Sequence, residues 1–228
     1  MAIKPEIIRH IPFFADLTED DVRRVAQATI ERRYERGEII LLEGEHGGAL
    51  YFVREGLVKI FKTSPEGKEQ VLRLIASGHT FNDVPALDDG PNPASAAAME
   101  PSVVYLIEGT ALRRLMVERP AVAAATVKTL AVALRHLVAL VEDLSFRRVT
   151  ARVAKILLEQ EKQEEAQDAQ QAKQPPSHRL TQQEMAAMAG TAREVVGRAL
   201  KELEAAGAIQ LRRGHIRVIS RERLRLLA

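Results

Sequence analysis

Arg193, Glu194 and Arg198 stand within two helical turns of one another, and Lys201 continues the same side. An arginine fork can donate to O6 and N7 of guanine, and a glutamate can accept from N4 of cytosine. The three are chemically suited to reading G and C. Thr181 and Thr191 each precede a glutamate by three residues, Glu184 and Glu194. Each pair forms an S/T-x-x-E box, in which the hydroxyl takes an unpaired N–H at a helix start and the glutamate reaches back. Thr181, Thr191, Arg193, Glu194, Arg198 and Lys201 are therefore the candidate nucleic-acid contacts. Glu194 has two competing duties, capping its own helix and reading cytosine.

Two short helices joined by a tight turn would position these side chains. Met185, Ala186, Met188 and Ala189 make one side of the first helix apolar, and Gly190 supplies a permissive turn backbone. Val195, Val196, Ala199, Leu200 and Leu203 follow at helical spacing, and Gly207 is a C-terminal cap. One side packs and the other is offered, with the charged residues in the first turns, where a recognition helix meets base edges. Ala208–Leu211 and Ile216–Ile219 predict a two-stranded wing carrying Arg212, Arg213 and Arg217, and Ser220 starts a last helical turn.

The run GTAREVVGRALKELEAAGAI resembles the helix-turn-helix of the CRP/FNR family, whose second helix carries an R-E-x-x-G-R pattern. Here the pattern is Arg193, Glu194, Gly197 and Arg198. The resemblance implies a sequence-specific transcription regulator, a homodimer in the cytoplasm on double-stranded DNA with half-sites like TGTGA, and RNA polymerase as partner of an activator. It implies no enzyme. Composition agrees: His178–Ala228 holds ten Lys or Arg against five Asp or Glu, whereas the rest holds 23 against 26. A basic end on a mildly acidic body suits phosphate neutralisation. The absence of Cys excludes disulfides, an iron-sulfur cluster and thiol sensing. The first residues, MAIKPEIIRHIPFF, lack the apolar core of a signal peptide.

Upstream, residues 3 to 34 predict short helices, one capped by Thr18 ahead of Asp21 with Val22, Val25, Ala26 and Thr29 on one face. From Glu35 to Glu108, apolar runs at 39–42, 49–53, 57–61, 71–75 and 103–107 alternate with glycines and the turn Ser64–Gly67. That pattern predicts an antiparallel barrel or jelly roll of about eight strands. RGEIILLEGEHGGALYFVREGLVKIFK is similar to the first half of a cyclic-nucleotide-binding fold.

The resemblance also implies a pocket, in which a Gly-Glu-Leu segment would take a ribose and an Arg-Ser pair a phosphate. The matching segments are Asn82-Asp83-Val84 and Pro93-Ala94-Ser95. Pro93 stands where the phosphate-binding arginine would be and has no N–H of its own. Loss of that contact, about 1.5–3 kcal/mol, points away from cyclic AMP and leaves the effector unidentified. Asn82, Asp83, Ser95 and Leu137 are the candidate pocket residues, with the alternative that the polar ones merely satisfy turns. The six histidines show no metal-ligand spacing, although one alone, such as His79, would suffice to hold a haem.

After Pro120 a long apolar run includes Lys128, Arg135 and His136, which argues against a membrane span. Val127, Leu130, Leu134, Leu137, Val141 and Leu144 alternate by three and four, a heptad seam that should pair with its copy in a parallel homodimer. Ala131, Ala133, Val138 and Leu140 flank it. Asp143–Arg148 is the junction to a helix over 149–163, and 164–177 reads as a loop or frayed end. The expected class is α+β: a β-roll or jelly roll, a dimerisation helix and a winged helix-turn-helix, over residues 1–118, 119–146 and 147–228. A rival reading, a nucleotide-sensing scaffold or enzyme-regulatory subunit whose C-terminal helices contact protein, stays open at this point.

Overall fold

A computed structural model describes residues 3, 5–14, 17–170, 180–212 and 215–228. Its contacts sort into two units, Met1–Lys62 with Leu72–Leu137, and Thr63–Val71 with Val138–Ala228. The first unit opens with α1 (Pro5–Ile8), a 3-10 turn (Pro12–Phe14) and α2 (Glu19–Ala28). Thr18 caps α2 as its sequence predicts, accepting from Asp21 N at 3.4 Å. Thr29, expected on the helix face, instead ends the helix and starts strand β1 (Thr29–Tyr34). Long-range pairing overrides the local periodicity there: β1 lies antiparallel on a strand more than sixty residues later, from Thr29 opposite Ile107 to Tyr34 opposite Ser102.

The five predicted apolar runs become β2 (Ile39–Leu41), β3 (Ala49–Glu55), β4 (Leu57–Thr63), β5 (Glu69–Ala76) and, after three elements the runs did not predict, a strand over Ser102–Glu108. Those unpredicted pieces include the two-residue β6 (Thr80–Phe81), helix α3 (Asp83–Asp88) and the alanine-rich β7 (Ser95–Ala98), so the last strand is β8. Two four-stranded sheets result, in the orders β1-β8-β3-β6 and β2-β7-β4-β5. The turn at Ser64–Gly67 closes with Gly67 N donating to Ser64 O at 2.9 Å.

Strand β3 is apolar on both faces because both are covered. Leu50 and Phe52 join a cluster with the N-terminal helices, whereas Val53 joins Leu41, Val58, Ile75, Phe81, Ala96 and Val104 inside the roll. β8 divides in the same way, with Tyr105 and Ile107 on the helical side and Val104 inside. Helix α4 (Gly109–Glu118) then leads into α5 (Pro120–Phe146), an unbroken helix of 27 residues.

The second unit continues with α6 (Val149–Gln170), α7 (Gln182–Ala189), α8 (Arg193–Ala205), the hairpin β9 (Ile209–Arg212) and β10 (His215–Val218), and α9 (Arg221–Leu227). Its core joins Val153, Ile156 and Leu157 of α6 to Met185, Ala186 and Ala189 of α7, to Val196, Ala199, Leu200 and Leu203 of α8, and to Ile209 and Leu224. Helix α6 runs seven residues beyond the expected end at 163. Apart from Asp168 its tail, residues 164–170, is built of Glu, Gln and Ala, strong helix formers that need no core to propagate a turn. Of the expected loop, 171–177 lies outside the described residues, as do His178 and Arg213.

Candidate functional site

Helix α7 begins with the predicted capping box: Glu184 N donates to Thr181 Oγ1 at 3.2 Å, and Thr181 N donates to the Glu184 carboxylate at 2.7 Å. Gly190 ends it in the left-handed region at φ 63° and ψ 40°. The second box does not form. Helix α8 starts one residue later than expected, with Ala192 as its N-cap and no side-chain cap bond, so Glu194 occupies the second helical position. Thr191 spends its N–H on Ala186 O at 3.0 Å, inside the turn. The expected capping duty of Glu194 therefore falls away, and its side chain is exposed with those of Arg193, Arg198 and Lys201. At the far end Ala206 caps and Gly207 follows at φ 67°, as the glycine position predicts.

Behind this exposed face the motif is tied down. Val196, Leu200 and Leu203 are fully buried. Thr150 of α6 donates to Glu202 at 2.6 Å, and Arg152 Nε donates to Ala189 O at 2.8 Å. Gln70, at the β5 end of the hairpin tip that belongs to this unit, donates to Met188 O at 3.3 Å. None of these ties follows a local spacing, which is why the sequence did not show them.

On α5, Val127, Leu134, Leu137 and Val141 are exposed, three of them by more than 60 % of their surface, and Leu130 and Leu144 are half-buried. Val138, expected only to flank the seam, is equally open. It is the one helix among the described residues long and apolar enough to cross a membrane. Lys128 and Arg135 lie on it, exposed.

In the roll, Asn82 adopts φ 61° and ψ 32° and donates to Ala49 O and to Asn92 Oδ1, both at 3.1 Å. Ser95 Oγ accepts from Glu43 N at 3.0 Å. These two candidate pocket residues thus tie neighbouring segments of the roll together. Asp83 is different: it is buried, and its Oδ1 is the only buried side-chain oxygen or nitrogen among the described residues without a hydrogen-bond partner. Burial pushes its carboxyl above the usual carboxylate range, against the opposing pull of a hydrogen bond from Thr80 and the charge of Arg73. Pro93 O accepts from Lys62 Nζ at 3.2 Å, and Lys62 also pairs with Glu43 at 2.6 Å. No cluster of His, Asp or Glu capable of holding a metal occurs among the described residues.

A second carboxylate shows the opposite electrostatics. Asp21, also buried, receives Arg119 Nε at 2.7 Å and Arg119 Nη2 at 3.3 Å, with the Thr18 hydroxyl at 2.7 Å. Hydrogen bonding from Arg119, then from Thr18, holds its carboxyl below the usual range despite burial. A contact 98 residues apart in the chain leaves no sequence signal.

Residues 31–119 match the cyclic nucleotide-binding domain family, and residues 151–227 match the Crp-like helix-turn-helix domain family. The cyclic AMP receptor protein of Thermus thermophilus is 32 % identical over 207 residues, covering 91 % of this chain and 92 % of that protein. The chain belongs to the CRP/FNR family. A CRP-like cAMP-activated global transcriptional regulator of Mycobacterium tuberculosis is 31 % identical, with 84 % of each chain covered. The structure of FixK2 from Bradyrhizobium japonicum superposes with a TM-score of 0.72 at 25 % identity, covering 87 % of this chain and 96 % of that one. This CRP/FNR protein is a DNA-binding transcription regulator, and the scaffold reading gives way to it.

Proposed function

We propose that this regulator acts as a homodimer on a twofold-symmetric DNA site. The α8 of each protomer enters a major groove, Arg193, Glu194 and Arg198 face base edges, and Thr181, Thr191 and Lys201 meet the backbone. The observation that carries the reading is the row of open apolar side chains on α5, Val127, Leu134, Leu137 and Val141, in the same chain as a helix-turn-helix whose polar face is open. Apolar side chains at heptad spacing call for a second helix of the same kind, and α5 pairs with α5. Leu130 and Leu144 complete the seam. The three-part division at 118/119 and 146/147 expresses this reading as sensing, pairing and binding segments.

The same family membership supports a cytoplasmic location, α5 pairing with protein rather than lipid, no catalytic activity, and contact with RNA polymerase if the protein activates. Half-sites resembling TGTGA are the expected target. Asn82, Asp83, Ser95 and Leu137 are the candidate effector-pocket residues, with Asp83 Oδ1 as the polar atom among them that has no partner. Pro93 offers no donor to a cyclic phosphate, so the effector is not cyclic AMP.

The deciding experiment selects bound sequences from a random duplex library and measures the mass of the protein in solution. A palindrome enriched by a dimer supports the reading, and Leu134→Glu should give monomers with affinity for two half-sites strongly reduced. Enrichment of no sequence, or an unchanged dimer in Leu134→Glu, refutes it. A calorimetric titration showing tight binding of cyclic AMP refutes the effector assignment alone.

A further inference from the structure

The corner between α5 and α6 is held by a cluster of charges that DNA binding as such does not require. Asp143, in the last turn of α5, is buried. Its carboxylate pairs with Arg147 Nε at 2.8 Å and with Lys155 Nζ, two turns into α6. Arg152, one turn earlier on α6, donates Nη1 to Arg147 O at 2.8 Å and reaches Asp143 O at 3.4 Å. The same guanidinium donates Nε to Ala189 O, the last residue of α7. One arginine thus bridges the end of α5, the corner and the turn of the helix-turn-helix. Next to that turn, Leu144 Cδ2 lies 2.7 Å from where a Cβ on Gly190 would stand, so the α5 end and the turn are in contact.

We propose that Asp143, Lys155 and Arg152 form a brace that fixes the direction of α8 relative to the end of α5, and so sets the half-site spacing the dimer accepts. The proposal rests on the homodimer reading above. In a dimer paired along α5, any rotation at the corner is applied twice with opposite sense, and it changes the separation of the two recognition helices. That separation must match one helical turn of DNA, about 34 Å. A bare hinge would tolerate several spacings. A buried carboxylate between two cations, with a planar guanidinium fixing three carbonyls, permits few rotamers and hence few directions. These are positioning residues, acting through α6 and Ala189 rather than by touching DNA.

The test is a binding selection on duplexes whose two half-sites are separated by spacers varied one base pair at a time. Lys155→Gln leaves Asp143 paired with Arg147, so no buried charge is stranded, and Arg152→Gln removes the link to Ala189. Both variants should remain dimers with unchanged half-site preference. Their optimum should broaden to neighbouring spacings, with affinity for the parental spacing reduced on the order of tenfold. Lys155→Arg, which keeps the ion pair, should retain the narrow optimum. The proposal is overturned by folded, dimeric variants whose spacing optimum stays as narrow as that of the parent. It is equally overturned if Lys155→Gln fails to fold, since the pair would then support the fold and not its direction. A parent protein that accepts every spacing alike overturns both this proposal and the two-half-site reading, whereas a narrow parent with narrow variants overturns the brace alone.

Discussion

Two glycines seven residues apart in the helix-turn-helix should respond to alanine with opposite signs. Gly197 lies inside α8, where glycine costs about 1 kcal/mol relative to alanine. A Cβ built on it would meet only Gln182 Oε1, at 3.9 Å, an ordinary contact. No steric term opposes the gain, so Gly197→Ala should stabilise the C-terminal unit by about 1 kcal/mol. For a piece of this size that raises its melting temperature by roughly 4–8 °C. Gly190 is the reverse case. Its φ of 63° places a Cβ against the following carbonyl, at a cost of roughly 1–2 kcal/mol. The same Cβ would stand 2.7 Å from Leu144 Cδ2 and 2.8 Å from Gln70 Oε1, so two side-chain ends must also move. Gly190→Ala should therefore lower the melting temperature, and Gly190→Asn should do so less, because asparagine tolerates the left-handed region. Calorimetric melts of the two alanine variants at matched protein concentration check both signs. A Gly197→Ala protein no more stable than the parent, or a Gly190→Ala protein equally stable, would refute the reasoning. Measuring DNA affinity alongside separates folding from recognition: if Gly197→Ala melts higher and binds more weakly, the bare backbone at 197 is there to admit DNA.

Recognition and pH behaviour give further tests. Arg198→Ala should cost about 1–3 kcal/mol on the preferred site and relax selection at one guanine, whereas Lys201→Ala should weaken all sequences alike and reduce the salt slope by about 1. A shared loss of sequence preference in both variants would contradict the division of roles. The two buried carboxylates should shift stability in opposite directions with pH. Asp83 has its folded pKa raised, so its contribution is fully present below the unfolded value and is lost as pH rises through the folded one. Asp83→Asn should therefore melt higher than the parent at pH 7, with the advantage shrinking in acid, and a constant difference across pH would count against burial as the cause. Asp21 has its folded pKa lowered, so its contribution is present above the unfolded value and is lost as pH falls through the folded one. Arg119→Gln should be markedly destabilised at pH 7 and nearly indistinguishable from the parent once Asp21 is protonated, and a deficit that persists unchanged in strong acid would show that packing, not charge, is lost.

What could be read from the chain alone was whatever depends on neighbours a few residues away. The capping box at Thr181 and Glu184, the left-handed glycine at 190 and the hairpin turn at Ser64–Gly67 formed as spaced, and the apolar row from Val127 to Leu144 lies on one continuous helix with Val127, Leu134, Leu137 and Val141 exposed. Each is governed by hydrogen bonds within one turn or by a period of one helix. In the misreadings one local rule was outweighed by a competing contact, near or distant. Thr191 matched a capping box, but its N–H was taken by Ala186 O across the turn and the helix began a residue later. Thr29 matched a helix face, but pairing with β8 drew it into a strand. β7 lacked strand-forming side chains because its alanines fill space between larger neighbours, with β2 and β4 on either side.

The polar candidates divide along the same line. Asn82, Asp83 and Ser95 are alike in sequence as short polar residues in a loop, and only the tertiary structure distinguishes them. Asn82 and Ser95 are occupied in holding backbone groups, Ala49 O and Glu43 N, while among the three Asp83 alone keeps an unpartnered oxygen. The pair Asp21–Arg119 exists only once segments 98 residues apart meet, and Asp143–Lys155 only once α5 and α6 meet at their corner. Residue types and spacings therefore determined that the charged face of α8 and the apolar row of α5 are both exposed. The charges and backbone carbonyls that meet at the corner between α5 and α6, and the pair Asp21–Arg119, came only with the tertiary structure, because a hydrogen bond in the interior depends on position in space and not on position in the chain.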